Sequence, residues 1–524
     1  NGDDVNETER PGVINQFLIS VTDGIRVLDD GLLLEIRREL GHCPSELVVS
    51  ELEVYRALCR LNTQKASLSD GITNRLLRLL SEVLATPICA VINSSIRHGV
   101  VPQQWRIARI TPIPKTIPHS YVDSDLRPIA ITCPISKIAE HFMSGMFNEH
   151  FESHVDINQF GCVAGRSTTL ALIKLTHLLF EVSDDSSNII RLLFIDFKKA
   201  FELIDHNIVA KKLELYEFPP HIALWTLSFL QHRKQFVKLG TKFSSVFDID
   251  AGAPQGTRAG PNVFKLLIND LRFSLPYIKY VDDVSVVASS VDPLDTSLHR
   301  AVNEVAAWCE ANGMFLNVTK TKEMVIYFGK ATQKKSIPPI QLQAAAVERV
   351  EIFKLLGVII SSDLSWQSHV DYIVKRASKR FFVLCQLVRI GVSVNDVTSV
   401  YCSLIRSILE YACPVWHCGL TKSQSEEIEG VQRRCMRILF PELSYSDSLQ
   451  ITGLELLCTR RERLVYSLFS EIKNKGHVLN NLLPAKIIDE CSYTTRDSYP
   501  YRMPRARTER PLRSFISYCV RKRF

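Results

Sequence analysis

Tyr277-Ile278-Lys279-Tyr280-Val281-Asp282-Asp283-Val284-Ser285-Val286-Val287-Ala288-Ser289 reads as two short apolar strands folded back about a pair of acids. Aromatic and β-branched residues suit pleated backbone, whereas Asp is among the residues that turns prefer. The pattern predicts a β-hairpin with Asp282 and Asp283 at its turn. Further upstream, Arg191-Leu192-Leu193-Phe194-Ile195-Asp196-Phe197 is a nearly continuous apolar run of strand length, interrupted by one carboxylate. It reads as a buried strand. Beyond Lys198, residues Phe201, Ile204, Ile208, Val209 and Leu213 fall on one helical face, so a helix is expected directly after Asp196.

The flanks have other textures. Leu52, Val54 and Leu58, then Leu76, Leu77, Leu80, Val83 and Leu84, repeat at helical spacing, with Ser69-Asp70-Gly71 breaking the run. In the next segment Ile107, Ile110 and Ile113 alternate with Arg106, Arg109 and Lys115, and Pro112, Pro114 and Pro118 punctuate them. That pattern predicts extended segments carrying a row of positive charge. After about residue 366 the spacing is helical again and includes a basic stretch, Lys375-Arg376-Ala377-Ser378-Lys379-Arg380. Residues 1–49 have mixed composition and read as linker-like.

Two carboxylates converging from rigid elements are the ligands that a hard divalent cation such as Mg²⁺ selects. Taken singly, an Asp-Asp turn is ordinarily a solvated turn, and an Asp after a strand is ordinarily a helix cap. What raises Asp196 and Asp282 above those bland readings is the ordered set of motifs around them.

That set resembles the non-LTR (LINE-type) retrotransposon reverse transcriptases, in particular the jockey-like group. Phe194-Ile195-Asp196-Phe197-Lys198-Lys199-Ala200-Phe201 with Asp205-His206 is similar to their first catalytic motif. Gly252-Ala253-Pro254-Gln255-Gly256 through Pro261, followed by Ile268-Asn269-Asp270-Leu271, is similar to the second. Tyr280-Val281-Asp282-Asp283 matches the third; Trp308, Asn312-Gly313 and Asn317 to Lys322 resemble the fourth. Leu356-Gly357-Val358 resembles the primer-grip region. Pro112 to Lys115, Arg127-Pro128-Ile129, and Gln159-Phe160-Gly161 with Gly165 to Thr168 are similar to fingers segments. Leu409-Glu410-Tyr411, Val415-Trp416 and Arg507-Thr508-Glu509-Arg510 resemble the C-terminal region of jockey-like members. Val281 stands where many members have Ala, Thr257-Arg258-Ala259 replaces a Ser-Val-Leu type, and Glu202 replaces a frequent Asp. None of these departures removes an acid.

The resemblance implies an α+β right-hand polymerase. Fingers would span residues 50–190, a palm with an antiparallel sheet 191–365, a helical thumb 366–495 and a basic tail 496–524. It implies RNA-directed DNA synthesis from a DNA primer or target 3′-hydroxyl on an RNA template, using deoxynucleoside triphosphates and two Mg²⁺ ions, with Mn²⁺ as a substitute. Asp196, Asp282 and Asp283 would hold the metals, Asp283 being the weaker third carboxylate. Lys115 and Arg127 would meet the triphosphate, and Phe201 would exclude a 2′-hydroxyl. Gln255 and Gly256 would shape the base and template pocket, and Lys320 or Lys322 would be general acid to the leaving pyrophosphate. Each has a plain structural reading as well: Phe201 as core of its helix, Gln255-Gly256 as part of a turn, the cations as solvated surface. A nucleus and cytoplasmic ribonucleoprotein location follows from the resemblance. Two other readings are a decayed or co-opted copy that only binds nucleic acid and, fitting the C-terminal region less well, a maturase-like protein.

Composition agrees with a folded chain of several subdomains: 524 residues, 46% hydrophobic and 23% charged. No apolar run reaches membrane-spanning length, so no membrane partner is expected. The start, Asn1-Gly2-Asp3-Asp4, reads as the interior of a longer frame with a domain expected upstream; an endonuclease in that place is typical of the jockey-like elements that the chain resembles. Fourteen cysteines without a Cys-x-x-Cys pair read as reduced intracellular thiols. Cys413, His417 and Cys418 are spaced unusually for zinc, and buried thiols are the ordinary reading. The net charge of +7 resides in residues 496–524, where nine basic residues face two acids. Tyr499, Tyr501 and Tyr518 interleave with them there, and Tyr493 lies just upstream. Such a segment suits phosphate contact with base stacking, or is a solvated tail.

Overall fold

The computed structural model describes residues 9–68, 71–115, 126–329, 337–343, 345–486, 500–503 and 505–524. The breaker at Ser69-Asp70, Pro118, Tyr493, Arg496, Asp497 and Tyr499 lie outside them. The chain is α+β and forms two compact units. One comprises Asn1–Cys162, Phe197–Arg272 and Val305–Leu316; the other comprises Val163–Asp196, Phe273–Glu304 and Asn317–Phe524.

In the first unit, β1 (Ile107–Pro114) is central to the cation-bearing extended segment. It pairs antiparallel with β2 (Leu126–Ile131) and parallel with β4 (Arg233–Leu239). β5 (Lys242–Phe243) and β6 (Phe247–Ile249) add to β4. The expected helices are present: Glu51–Cys59 starts at a Ser50–Glu53 capping box, and Ser81–His98 ends at Gly99 in a left-handed conformation. Residues 9–49 are less linker-like than the composition of 1–49 suggested. Arg10–Ser20 is a helix, with Ile14 in a core of Ala108, Ile110, Ala130 and Val237. Asn15 is fully buried; its amide donates to Ser244 Oγ at 3.0 Å and the Ser245 carbonyl at 3.1 Å, and its oxygen accepts from Gln235. A buried Asn is invisible to hydrophobic periodicity, which is why this helix was missed.

The second unit holds a sheet in the order β12-β9-β3-β8-β7. Its strands are β3 (Ile189–Ile195), β7 (Tyr277–Tyr280), β8 (Asp283–Ser290), β9 (Lys322–Ile326) and β12 (Glu348–Arg349). All pairs are antiparallel except the edge pair β12–β9. Every residue of β3 is buried, as its unbroken apolar run requires. β10 (Gln341–Leu342) and β11 (Ala345–Ala346) form a small ladder, and β13 (Ile352–Leu355) and β14 (Val358–Ser361) a separate hairpin. Helices follow from Gln367–Ser378, whose Lys375 and Arg376 are exposed. No helix among the described residues is long and apolar enough to cross a membrane.

Two further expectations change. No helix begins at Lys198: residues 198–203 are turns, and the helix is His206–Leu215. Lys199 has φ 46°, which an α-helix does not accept, and the Asp205 side chain caps the later start through the Asn207 amide at 2.7 Å. The described part of the basic segment is not a loose tail. Phe515–Arg521 is a helix with Phe515, Ile516, Cys519 and Val520 buried. The Arg507 and Thr508 amides donate to Asp184, Arg510 donates to the Ser183 carbonyl and covers the Phe328 ring, and Lys522 pairs with Glu462. Tyr501 is buried and the Tyr518 hydroxyl donates to Glu462, so these two rings serve packing. Cys413 and Cys418 are buried too, and burial pushes the Cys413 thiol up to about 12.

A buried charge triad ties β12 to the sheet. Glu323, fully buried, accepts from Arg191 at 2.7 Å and from Arg349 at 3.0 Å. Removing one partner of such a set leaves unpaired charge behind and costs about 3–5 kcal/mol. Glu323→Ala is expected to lower unfolding stability by that order in urea titration, whereas a change below about 0.5 kcal/mol, the usual surface range, would contradict the triad's importance.

Candidate active site

The second unit brings the three acids together. Seven consecutive pairs join β3 to β8, ending at Ile195↔Val284, so Asp196 stands one step beyond that pair, beside Asp283. Its backbone is pinned by the fourth motif: the Asn317 amide donates to the Asp196 carbonyl at 2.8 Å, and the Asp196 amide donates to Thr321 Oγ1 at 3.4 Å. β7 and β8 form the expected hairpin, closing at Tyr280↔Asp283 with Val281-Asp282 as its two-residue turn. Asp282 is thus in the turn, and Asp283 is the first strand residue. Val281 has φ 59°, a conformation that costs a β-branched residue about 1–3 kcal/mol. This tight turn fixes the backbone that carries Asp282 and leads into Asp283.

Their electrostatics follow. Asp283 opens toward a cleft, yet the protein packed around its carboxyl, and then the charges of Asp282 and Asp196, push its pKa up to about 6. Three carboxylates that repel one another this way form a donor set for a cation. Among the described residues, no group of three or more His, Cys, Asp or Glu side chains is placed to hold a metal ion unaided. The chemistry of the three acids is nonetheless that of hard carboxylate oxygens, the donors a divalent cation such as Mg²⁺ takes.

Asp196 and Asp283 line a cleft of about 460 Å³ with Phe194, Phe353, Leu355, Thr319, Lys320 and Lys322. Lys322 is engaged by Glu348 and the Thr319 carbonyl, both at 2.5 Å, while Lys320 is exposed.

The other site residues lie in the first unit. Arg127 pairs with Ile113 across the β1–β2 ladder, and Lys115 follows two residues after Ile113; both are exposed at the same end of that ladder. Phe201 is half-buried in the turn after the acid strand and stacks on Phe264 at 4.9 Å and 21°, so it is not a helix core residue. The Gly252–Pro261 loop is tightly built. The Ala253 amide donates to the Phe201 carbonyl at 2.8 Å, the Ala130 amide to the Gln255 carbonyl at 2.7 Å, and Gln255 Nε2 to Glu202 at 2.9 Å. Gly252, at φ 68°, has room for no side chain, since a Cβ would meet the Glu202 carbonyl at 2.6 Å.

Sequence reasoning missed what holds this loop. Glu140 is fully buried and accepts from the Arg258 amide at 2.8 Å and the Ala259 amide at 3.4 Å, so it caps the helix Ala259–Ile268 from outside; burial raises its pKa. Asp270, read only as part of a motif, accepts from Lys212 at 2.6 Å and Trp308 at 2.9 Å. Only the assembled fold carries these signals.

Residues 113–360 match the family model described as reverse transcriptase (RNA-dependent DNA polymerase). The chain is 25% identical over 409 residues to a probable RNA-directed DNA polymerase from transposon BS of Drosophila melanogaster, covering 74% of this chain and 44% of that protein. It is 24% identical to the corresponding X-element protein and 23% identical to the RNA-directed DNA polymerase of the mobile element jockey, both of Drosophila melanogaster. Each of these two matches covers 74% of this chain and 43% of the relative. The chain thus spans less than half the length of these curated relatives.

His206 supplies a pH signature for the loop. Its Nε2–H donates to the Gly252 carbonyl at 2.9 Å, and burial lowers its pKa to about 4. The unfolded chain titrates this group near 6.5, so between about 6.5 and 4 the unfolded state binds the extra proton and stability falls as pH falls. His206→Gln is expected to flatten the stability–pH slope in that window by up to about 1.4 kcal/mol per pH unit in denaturant titrations. Identical slopes for the two proteins would refute the assignment.

Proposed function

Because residues 113–360 belong to the reverse transcriptase family, we propose that this chain is the polymerase part of a non-LTR retrotransposon protein. It adds deoxynucleotides to a DNA 3′-hydroxyl on an RNA template. The observation that carries this reading is the crowding of Asp196, Asp282 and Asp283 at the open end of one sheet. We assign fingers to about 50–190, palm to 191–365 and a helical thumb from 366.

Asp196 and Asp282 would hold two Mg²⁺ ions, with Asp283 as the third carboxylate. When bound, such ions activate the attacking hydroxyl and neutralise the leaving phosphate. The reaction joins the primer 3′-oxygen to the α-phosphorus and breaks its bond to the bridging oxygen, releasing pyrophosphate. The rigid β3–β8 register fixes where the acids stand, which suits a reaction governed by positioning. Lys320 is assigned the proton delivered to pyrophosphate, since it borders the acid cleft and Lys322 is engaged by Glu348. Lys115 and Arg127 are assigned to the triphosphate, where a point charge and a bidentate fork suit phosphate oxygens. Phe201, stacked on Phe264 and held through its carbonyl by Ala253, is rigid enough to act as the gate against a 2′-hydroxyl. Gln255, oriented by Glu202, and Gly256 would shape the base and template pocket.

Primer extension on RNA and DNA templates tests the reading. The wild-type chain should extend a DNA primer on RNA with Mg²⁺, and Asp282→Asn should reduce extension by at least about a hundredfold, as expected when transition-state charge loses its metal. Equal extension by the variant would overturn the acid assignment; nucleic-acid binding without extension by the wild type would overturn the polymerase reading.

A further inference from the structure

The hairpin β13–β14 walls one side of the acid cleft. Phe353 stacks on Phe194 at 3.9 Å and 14°, two residues before Asp196, and Phe353 and Leu355 line the cleft with Asp196 and Asp283. Leu355 and Leu356 also border a small cavity with Tyr280 and Asp283. The turn joining the two strands, Leu356-Gly357, is strained. Leu356 has φ 45° and Gly357 φ 88°, and the left-handed region is costly for a leucine. Such a conformation persists only where the surroundings hold it.

Tyr411 supplies that hold. Its hydroxyl lies 2.8 Å from the Leu356 carbonyl and 3.0 Å from Thr168 Oγ1. A phenol has one proton, so it donates to the carbonyl and accepts from the threonine. The ring fills the space above Gly357, where a Cβ would lie 2.9 Å from its edge. Tyr411 is itself anchored, because its own carbonyl accepts from the indole of the fully buried Trp416 at 3.1 Å. A residue that is 42% exposed thereby fixes the strained turn of the cleft wall.

We propose that Tyr411 is a positioning residue for the primer terminus, acting through the Leu356-Gly357 turn that it clamps beside Asp196 and Asp283. The proposal rests on the polymerase reading given above. It makes the turn a rigid rest for the primer 3′ end, and the Tyr411 hydroxyl the group that keeps it in place. Displacements of about 1 Å at a reacting centre are costly, so loss of this hydroxyl acts on turnover more than on binding.

Tyr411→Phe keeps the ring and removes the two hydrogen bonds. In primer extension, kcat is expected to fall about tenfold, with KM for the deoxynucleotide and affinity for primer–template each within about twofold and the unfolding midpoint unchanged. Thr168→Val should add nothing to Tyr411→Phe, since the threonine acts only through the phenol. Independently of activity, amide hydrogen exchange in residues 352–361 should quicken at least about tenfold in Tyr411→Phe. Unchanged exchange there would overturn the clamp whether or not the chain polymerises. An unchanged kcat in a protein that extends primers, or a kcat loss that merely tracks a lower unfolding midpoint, would overturn the positioning role. A wild-type chain that extends no primer, with faster exchange in the variant, would leave the clamp standing and sink the polymerase reading instead.

Discussion

The antiparallel register of β3 against β8 carries the rest of the site. Seven pairs, from Ile189↔Ser290 to Ile195↔Val284, fix two strands so that carboxylates from distant parts of the sequence meet at one end. A slip of one residue would turn every side chain to the other face, so the buried apolar run of β3 specifies the acid geometry as firmly as it specifies the core. Like charges brought together this way cost free energy, and Asp283 shows it in a pKa pushed up to about 6 by its surroundings and by the other two acids. Under the proposed function, a bound divalent ion would relieve that repulsion.

Strain and buried polarity are spent around this register. Val281 and Leu356 both take left-handed backbone, one in the turn that presents Asp282 and the other in the turn beside the cleft. Each is braced: the first by the β7–β8 ladder, the second by Tyr411. The Arg191–Glu323–Arg349 triad binds the short edge strand to the same sheet. In the other unit, Glu140 and Ala130 fasten the Gly252–Pro261 loop through backbone amides and carbonyls. Rigid supports are what positioning chemistry requires, and they fall beside the motif residues.

The elements that were legible in the sequence are those whose hydrophobic period is unbroken. The apolar run before Asp196 and the two short strands around Asp282-Asp283 announced a buried strand and a hairpin. The alternating cations of 106–115 announced β1. What stayed hidden depends on partners remote in sequence. Asn15 is polar and buried because Gln235 and Ser244 meet it, so its helix read as linker. The turn at 198–203 hid behind a helical pattern that Lys199 breaks at the backbone. The basic C-terminal segment, which reads as a phosphate-contacting or a solvated tail, hid its packing because Asp184, Ser183 and Glu462, which hold Arg507, Arg510 and Lys522, lie far from it along the chain. The acids themselves were legible as candidates through the ordered motifs, but Tyr411 and Glu140 act through hydrogen bonds that no local pattern encodes.

The convergence of the three acids is tested most directly by counting bound ions. Mn²⁺ titration by electron paramagnetic resonance should be made on the chain holding a dideoxy-terminated primer on RNA and the matching nucleotide. Two ions per chain are expected for the wild type, with at least one lost in Asp196→Asn and in Asp282→Asn. Equal ion counts in the wild type and both variants would contradict the site described above.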